Sequence, residues 1–254
     1  MELKEKVAVI TGGSGGIGRA MAEAFLTEGA RAVILLDLDL SSVQAAATAL
    51  GCEGQACNVT DEEQLSGVID DILQRHGQID LFCSNAGSAS PGVLTDAANE
   101  DWQQQWDLHV MAHLYAARAV LPGMIERGQG YLLNTASAAG LLAAIGSGPY
   151  TVSKAAAVKL AEFLAITHGD DGIGVSVLCP QGVNTAMAPA SLGDGQTDGI
   201  IEASELAATV VEALREERFH VLPHPEVADY VRRKGEDVDR WLRGMRRLRA
   251  RSQE

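Results

Sequence analysis

The sequence predicts an α/β fold in which a doubly wound parallel sheet carries helices on both faces. Three observations predict it. Short runs rich in β-branched residues alternate with helix-like segments, the first run ends in a glycine-rich turn at 11–18, and the second ends in Asp37. Parallel sheets built from repeated βα units bind ligands at the carboxyl ends of their strands. We therefore expect the functional site at that edge of the sheet.

The alternation predicts strands at 7–10, 32–36, 55–59, 79–84, 131–135, 175–178 and 219–222. It predicts helices at 19–28, 41–50, 100–127, 150–167 and 204–216, and one that begins after Thr60. Ser41 or Ser42 is expected to cap the second helix and Thr60 the third, because hydroxyls accept hydrogen bonds from the first N–H groups. No linker or repeat divides this part of the chain, so a single catalytic domain is expected over 1–225.

Composition narrows the class of partner. Of the 254 residues, 46% are hydrophobic and 21% are charged, which is ordinary for a soluble globular protein. The net charge of −14 opposes nucleic-acid binding, because phosphates would be repelled. No apolar run approaches about 18 residues and no signal peptide is expected, so we predict no membrane contact. The four cysteines lack metal-ligand spacing, which indicates no metal site and a cytoplasmic location.

The glycine-rich turn joins a predicted strand to a predicted helix and reads Thr-Gly-Gly-Ser-Gly-Gly-Ile-Gly. Glycines in this position let the backbone approach a pyrophosphate at a helix N-terminus. The candidate cofactor-binding residues of the turn are Gly12, Ser14, Gly16, Ile17 and Gly18. An ordinary tight turn is the alternative interpretation.

Asp37 lies about 20 residues beyond this turn, where an acid can accept hydrogen bonds from a ribose 2′-hydroxyl. The same carboxylate would repel a 2′-phosphate. No basic residue stands at Gly15 or Leu38, where it could neutralise such a phosphate. NAD is therefore expected rather than NADP, although an ordinary polar strand end would give the same pattern.

Tyr150 and Lys154 lie four residues apart on the predicted helix 150–167, so they share one face. A free phenol has a pKa near about 10, and a neighbouring ammonium favours phenolate, so we expect Lys154 to lower the pKa of Tyr150. Ser137 follows the apolar run 130–134 and could share a substrate oxygen with Tyr150. A Tyr-x-x-x-Lys pattern alone is unspecific, and the serine and the glycine-rich turn give it weight.

Together these segments resemble the short-chain dehydrogenase/reductase family in its shorter, single-domain form. The glycine-rich turn is similar to the family's cofactor loop, Asn85-Ala86-Gly87 to its fourth-strand motif, and the Ser, Tyr and Lys to its catalytic set. The resemblance extends over 4–222. It implies a Rossmann-like fold and hydride transfer between a nicotinamide and a carbonyl or alcohol carbon.

The resemblance also implies roles for individual residues. Ser137 would hold and polarise the substrate oxygen, Tyr150 would be the general acid or base, and Lys154 would bind the nicotinamide ribose. Tyr150 and Lys154 would thus also contact the cofactor. The further cofactor-binding positions that it implies are Asn58, Val59, Asn85, Ala86, Gly87, Pro180, Gly182, Val183 and Thr185.

Three positions depart from the family pattern. Asn58 stands where an aspartate is common near the adenine, and an amide can still form hydrogen bonds there. His109 aligns with the family's catalytic asparagine. His109 can replace that asparagine if the proton relay needs only the main-chain carbonyl at this position. Turnover would be slow if the relay needs the asparagine side chain. Gln181 interrupts the Pro-Gly after the sixth strand and should alter the backbone beside the nicotinamide.

Two predicted loops, 138–147 and 186–200, should line the substrate pocket, and neither contains Lys or Arg. Such a pocket suits an apolar, uncharged secondary alcohol or ketone of small to medium size. The leading hypothesis is an NAD-dependent alcohol dehydrogenase or carbonyl reductase. The alternative is a dinucleotide-binding sensor or scaffold with vestigial activity.

The tail, 226–254, holds nine Lys/Arg against six Asp/Glu, and its apolar residues recur at helical spacing. We expect a helical basic extension packed on the same domain or, because the rest of the chain is acidic, on a neighbouring subunit. Membrane contact and a free tail are the alternatives. The resemblance implies a homo-oligomer, a tetramer or a dimer, in which the helices 100–127 and 150–167 pair with symmetry mates. The second helix offers small residues for close approach, Ala156, Ala157, Ala161 and Ala165.

Overall fold

The computed structural model describes residues 1–89, 92–186 and 198–251. Its strands are β1 (Val7–Thr11), β2 (Ala32–Asp37), β3 (Glu53–Ala56), β4 (Leu81–Ser84), β5 (Gly130–Thr135), β6 (Ile173–Leu178), β7 (Gly182–Asn184), β8 (Ile200–Glu202) and β9 (His220–Val221). Seven of them form one parallel sheet in the order β3-β2-β1-β4-β5-β6-β9. The short strands β7 and β8 pair separately and were not predicted.

The helices are α1 (Gly16–Thr27), α2 (Leu40–Leu50), α3 (Glu62–His76), α4 (Asn99–Trp106), α5 (Ala112–Glu126), α6 (Ala138–Leu141), α7 (Gly148–His168), α8 (Ala203–Glu216), α9 (Glu226–Glu236) and α10 (Val238–Arg251). One face of the sheet is buried by α3, α5 and α7, and the other by α1, α2 and α8. The predicted fold, a Rossmann-like doubly wound parallel sheet with helices on both faces, is confirmed.

The sheet reverses its winding between β1 and β4. The chain first moves outward through β2 and β3, and then returns to the other side of β1 to form β4, β5 and β6. A crevice opens outside the carboxyl ends of the strands at such a switch point, and ligands bind there. The glycine-rich turn after β1 and the segment after β4 therefore meet at one place.

Two predicted helix caps are wrong. Asp39, not Ser41 or Ser42, caps α2, because its carboxylate accepts from Ser42 N at 2.9 Å. The two serine hydroxyls donate to the same carboxylate. Asp61, not Thr60, caps α3 by accepting from Gln64 N at 3.0 Å. A carboxylate is the stronger acceptor for positively polarised helix N–H groups, so the neighbouring aspartate prevails.

The long helix predicted at 100–127 is interrupted. Between α4 and α5 the residues Asp107–Met111 form a π-helical turn, and α4, this turn and α5 follow one another without a gap. Such one-turn bulges are frequent at functional sites because they leave main-chain groups outside the regular hydrogen-bond ladder. His109 lies at the centre of this turn.

The four small residues of α7 differ in burial. Ala157 and Ala161 are fully buried in the core of their own domain, whereas Ala156 and Ala165 are partly buried. The expectation that Ala157 and Ala161 pack against a symmetry mate is therefore wrong, and for Ala156 and Ala165 it stays a prediction. The residues that α7 does present to solvent include Phe163, 60% exposed, and Ile166, 78% exposed.

The tail forms α9 and α10 on its own domain. Val227 is fully buried, and the Tyr230 hydroxyl donates to Asp198 at 2.9 Å. Lys234 Nζ donates to the carbonyl oxygens of Leu141 at 2.6 Å and Leu142 at 3.2 Å. Helix α9 is thus attached to the C-terminal end of α6, whereas α10 has no fully buried residue.

Candidate active site

The glycine-rich turn packs against the end of β4 with no room for side chains. Gly12 has a φ of +63°, and a Cβ on it would lie 2.9 Å from Ala86 Cα. A Cβ on Gly18 would overlap the Gly12 carbonyl oxygen, so α1 can approach the turn only with glycine there. Gly16 faces the Thr185 side chain in the same way, at 2.6 Å. The turn therefore forms a backbone cradle at the N-terminus of α1, which fits a pyrophosphate.

Thr11 and Asn85 tie the ends of three strands together. Thr11 Oγ1 accepts from the N–H groups of Asn85 at 2.8 Å and Ala86 at 2.9 Å, and Asn85 Nδ2 donates to Thr11 O at 3.0 Å. Asn85 Oδ1 accepts from Thr135 Oγ1 at 3.2 Å. Thr11 and Thr135 were not predicted as positioning residues, because only the strand pairing brings them beside the fourth-strand motif.

Asp37 is held in place at the end of β2. Its Oδ2 accepts from Ser14 N at 3.0 Å and from Ser14 Oγ at 2.6 Å, while Oδ1 accepts from Leu38 N at 2.8 Å. These bonds orient the carboxylate before any ligand arrives. Each oxygen keeps further acceptor capacity, which suits a vicinal pair of ribose hydroxyls.

Ser137, Tyr150 and Lys154 meet between β5 and α7, as predicted from their spacing. Ser137 caps α6, accepting from Ala139 N at 3.2 Å, and its side chain hydrogen-bonds Tyr150. Lys154 Nζ lies 5.7 Å from the Tyr150 ring centroid and donates to Thr135 O at 2.9 Å. A short apolar strand and the first turns of α7 therefore fix all three groups.

The pKa expected for Tyr150 needs correction. Burial raises the pKa of Tyr150, and the hydrogen bond with Ser137 opposes that rise only in part. Burial also lowers the pKa of Lys154 to about 7. Removing both groups from water disfavours both charges, which outweighs the predicted effect of the ammonium on the phenol. Sequence spacing shows proximity but not the degree of burial.

His109 is completely buried beneath the site. Its Nε2 accepts from Ser88 N at 3.3 Å, so Nδ1 carries the proton and donates to Ser153 Oγ at 2.9 Å. Ser153 in turn donates to Tyr150 O at 3.0 Å. The His109 ring meets the Tyr150 ring edge-on with centroids 5.6 Å apart. Burial, followed by the nearby Lys154 charge, strongly lowers the pKa of His109, so it is neutral at physiological pH.

A cavity of about 1160 Å³ joins these groups at the carboxyl edge of the sheet. The sequence-predicted residues that line it are Gly12, Ser14, Gly16, Ile17, Gly18, Asp37, Asn58, Val59, Asn85, Ala86, Gly87, Ser137, Tyr150, Lys154, Pro180, Val183 and Thr185. Gly182 and His109 do not line it. Gln181 does line the cavity. Its main-chain N–H donates to Nδ1 of the buried His224 at 3.2 Å, which fixes the chain segment that follows β6.

The second wall of this cavity was not predicted from the sequence. The lining residues contributed by α9, α10 and the junction between them are Tyr230, Arg232, Arg233, Glu236, Asp237, Arg240, Trp241, Gly244, Met245, Arg247 and Leu248. The helical periodicity of the tail was visible, but no local pattern shows which surface such a helix covers. Most of the predicted substrate loop 186–200 lies outside the described residues, which resume at Asp198.

Two structural findings bear on other kinds of site. Across the described ranges, His, Cys, Asp and Glu side chains form no group of three or more able to hold a metal ion. The same ranges contain no helix with the length and apolar character needed to cross a membrane.

Comparison with known proteins identifies the family. A family model described as short chain dehydrogenase matches residues 6–194, and the chain belongs to this family. It is 32% identical over 251 residues to a 1-deoxy-11-beta-hydroxypentalenate dehydrogenase of Streptomyces exfoliatus, covering 94% of this chain and 90% of the relative. It is 31% identical over 191 residues to a meso-2,3-butanediol dehydrogenase of Serratia marcescens, covering 74% and 75%.

Solved structures agree with this assignment. A short-chain dehydrogenase/reductase from Burkholderia phymatum in complex with NAD superimposes with a TM-score of 0.85 at 30% identity, covering 94% of this chain and 96% of that one. The protein is thus an oxidoreductase of the dehydrogenase type that acts on a small molecule and uses a nicotinamide cofactor.

Proposed function

We propose that this protein is an NAD(H)-dependent oxidoreductase that interconverts a secondary alcohol and a ketone. The observation that carries the proposal is the convergence of Ser137, Tyr150 and Lys154 on the cavity that also contains the oriented Asp37 carboxylate. Support for NAD over NADP comes from Asp37, which would repel a 2′-phosphate, and from the absence of a base at Gly15 and Leu38. The structural neighbour solved with NAD is consistent with this choice.

The residues would divide the chemistry between them. The cofactor, when bound by the glycine cradle and Asp37, supplies or accepts the hydride. Ser137 and Tyr150 would both hydrogen-bond the substrate oxygen, which fixes the reacting carbon. In the reductive direction Tyr150 would donate the proton that converts the ketone oxygen to a hydroxyl. Lys154, anchored on Thr135 O, would hold the nicotinamide ribose at that position.

The direction of the Tyr150 pKa shift predicts how the rates of ketone reduction and alcohol oxidation depend on pH. A raised pKa keeps the phenol protonated at neutral pH, which suits proton donation during ketone reduction. Alcohol oxidation needs the phenolate, so its rate should increase as the pH rises toward the pKa of Tyr150. The two directions should therefore show opposite pH trends.

The reacting end of the substrate would be apolar. Leu142, Ala143 and Ala144 line the cavity beside Ser137 and Tyr150. The two relatives named above are dehydrogenases of a hydroxypentalenate and a butanediol, which agrees with an alcohol substrate. The expectation of a wholly uncharged substrate rested on two loops alone, and it does not extend to the wall that α9 and α10 add.

The protein would work as a cytoplasmic homo-oligomer, a tetramer or a dimer. The exposed Phe163 and Ile166 on α7 support this part of the proposal, because exposed large apolar residues on one helix favour association. The alternative of a sensor or scaffold with vestigial activity depends on His109 and Gln181. It predicts dinucleotide binding without useful turnover.

One experiment separates these possibilities. NADH and NADPH would be titrated by fluorescence, and NADH oxidation would be measured with ketones of graded size. We expect tighter NADH binding by about 1–3 kcal/mol, the cost of a charge left without a partner. Tyr150→Phe should retain NADH binding and lose at least about 100-fold in turnover. Tyr115→Phe, on α5 and away from the cavity lining, is the matched control and should keep full activity.

Equal affinity for the two cofactors, or a preference for NADPH, would refute the NAD assignment. Undiminished turnover in Tyr150→Phe would mean that the proton donor lies elsewhere. Binding without turnover on any ketone would support the sensor.

A further inference from the structure

Helix α10 presents one face to the cavity. The lining residues Trp241, Gly244, Met245 and Leu248 recur at three- and four-residue intervals, which places them on a single stripe. Trp241, Met245 and Leu248 are all partly buried. Arg240 and Arg247 line the cavity along one edge of that stripe. An apolar surface with a cationic edge therefore faces the site, and the two arginines on that edge are also exposed to solvent.

The positive charge of this face is not neutralised by the helix itself. Along the described part of the chain, no carboxylate forms an ion pair with Arg240 or Arg247. Arg232 on α9 differs, because it lies between Asp229 at 2.9 Å and Glu236 at 3.6 Å. The other lining acid, Asp237, accepts a hydrogen bond from the Arg240 main-chain N–H at 2.9 Å. Neither of these two acids forms an ion pair with Arg240 or Arg247.

The position of the tail assigns this wall to the substrate side. Lys234 attaches α9 to Leu141 and Leu142, in the segment that begins with Ser137. Another part of the cavity is lined by the glycine-rich turn and Asp37, which form the cofactor cradle. A molecule that reaches from Ser137 along the tail would meet both the apolar side chains of α10 and the two arginines on their edge.

The charge of the whole chain makes this local arrangement significant. A net charge of −14 repels anions at long range, so an anionic substrate needs a local countercharge to bind. Arginine is the residue best suited to this task, because its planar fork matches carboxylate and sulfonate oxygens. In the described chain the substrate end of the cavity contains such groups, and the cofactor end contains Asp37.

We propose that Arg240 and Arg247 bind an anionic group, a carboxylate or sulfonate, at the end of an otherwise apolar substrate whose alcohol or ketone carbon lies at Ser137 and Tyr150. This inference deepens the proposed function and rests on it. The tail is then part of the substrate-binding site, and α10 determines which substrates are accepted.

The test compares charged and uncharged forms of one ketone. Straight-chain methyl-ketone carboxylic acids of graded length would be assayed with NADH, each beside its methyl ester and its sulfonate analogue. The double variant R240Q/R247Q removes two charges from the cavity face of α10. The control, R243Q/R246Q, removes two charges from the same helix at positions that do not line the cavity.

We expect R240Q/R247Q to lower kcat/KM for the best carboxylate by about five- to tenfold, mainly through KM, since hydrogen bonds between charged groups contribute on that order. The ester should be unaffected, and so should the control variant with either substrate. Added salt should weaken the carboxylate preference of the wild type.

Equal losses in the two double variants would show a general charge effect and overturn the proposal. A weaker affinity for NADH in R240Q/R247Q, measured by titration, would assign the arginines to the cofactor and also overturn it. No preference for the carboxylate over its ester in the wild type would have the same consequence. In each of these cases, reduction of the ester would continue, so the proposed function would stand.

Discussion

The two ends of the cavity are built in different ways. At the cofactor end the glycine-rich turn contributes main chain to the wall, and it lies so close to Ala86 that a Cβ on Gly12 would be 2.9 Å from Ala86 Cα. At the tail end the walls are side chains of α10, a helix with no fully buried residue. The first is part of the core of the domain, and the second is attached to it through a few contacts of α9.

This difference indicates which end of the cavity has a fixed structure and which end can vary in sequence. A dinucleotide presents the same phosphates and ribose to every enzyme that uses it, so a rigid backbone cradle serves it well. Substrates differ, and a helix held by Val227, Tyr230 and Lys234 can change its exposed side chains without disturbing the sheet. Substitutions at the cofactor end should therefore cost stability and binding together, whereas substitutions of the exposed side chains of α10 should change selectivity with little effect on cofactor binding.

The largest difference between the two ends is expected in stability and cofactor binding, when one glycine at each end is replaced by alanine. In Gly18→Ala the new Cβ overlaps the Gly12 carbonyl and lies 2.9 Å from Gly13 Cα, so main chain must move. We expect a loss of about 1–3 kcal/mol in the free energy of unfolding, typical of overpacking, and at least about tenfold weaker NADH binding. Gly235→Ala on α9 meets open space and should stabilise the protein by about 0.5–1 kcal/mol.

Thermal melts and NADH titrations of both variants measure this contrast. Similar stability changes in the two glycine variants would show that the cofactor end is no more rigid than the tail.

A smaller effect is expected from Lys234, which joins the two regions. Its ammonium donates to the main-chain oxygens of Leu141 and Leu142, at the end of the short helix that Ser137 caps. Lys234→Met should let this segment shift, and kcat/KM should fall about fivefold, the scale of one hydrogen bond from a charged donor in a partly exposed position. NADH affinity should remain unchanged, because the cradle is formed by other elements.

The matched control is Lys159→Met on α7, which removes an exposed ammonium paired with Glu162 far from the cavity lining. It should alter neither activity nor cofactor affinity. A loss of NADH binding in Lys234→Met would mean that the tail also supports the cofactor end. Steady-state kinetics with the best ketone, beside a fluorescence titration, distinguishes the two outcomes.

The same contrast explains what could be predicted from the sequence. The glycine-rich turn, Asp37 and the Ser137–Tyr150–Lys154 set line one cavity, and the sequence could bring them together because they lie at regular positions in consecutive βα units. The covering of the site by α10 could not be found, because it depends on contacts such as Lys234 to Leu141, far apart in the chain. The pKa of Tyr150 was predicted in the wrong direction for a related reason: burial is a property of the whole fold.

The remaining differences between the predicted and observed helices arise from neighbouring residues that could fill the same structural role. Asp39 and Asp61 each stand beside a residue that was expected to be the helix cap, and propensity alone does not decide between neighbours. The π-helical turn at Asp107–Met111 has no signal of its own in a pattern that fits one long helix. It became visible only in the three-dimensional structure.

The smallest effect on turnover is expected from His109, which lies beneath the site and does not touch the cavity. Its ring is neutral, and its two nitrogens are engaged by Ser88 and Ser153. A group whose pKa is strongly lowered by burial cannot exchange protons near pH ~6.5. His109→Asn should therefore leave turnover within a few-fold of wild type, and the acid limb of the pH–rate profile should not move.

Stability, in contrast, should respond to this substitution. The unfolded chain protonates His109 below pH ~6.5 and the folded chain does not, so the unfolded state binds more protons and stability falls as the pH decreases through that value. His113, buried one turn away with its pKa lowered to about 3, contributes in the same direction and remains in the variant. Thermal melts between pH ~7.5 and pH ~5 should show a shallower loss for His109→Asn than for wild type. Equal slopes, or a limb near pH ~6.5 in wild-type turnover that vanishes in the variant, would show instead that His109 titrates in the folded protein and takes part in proton transfer.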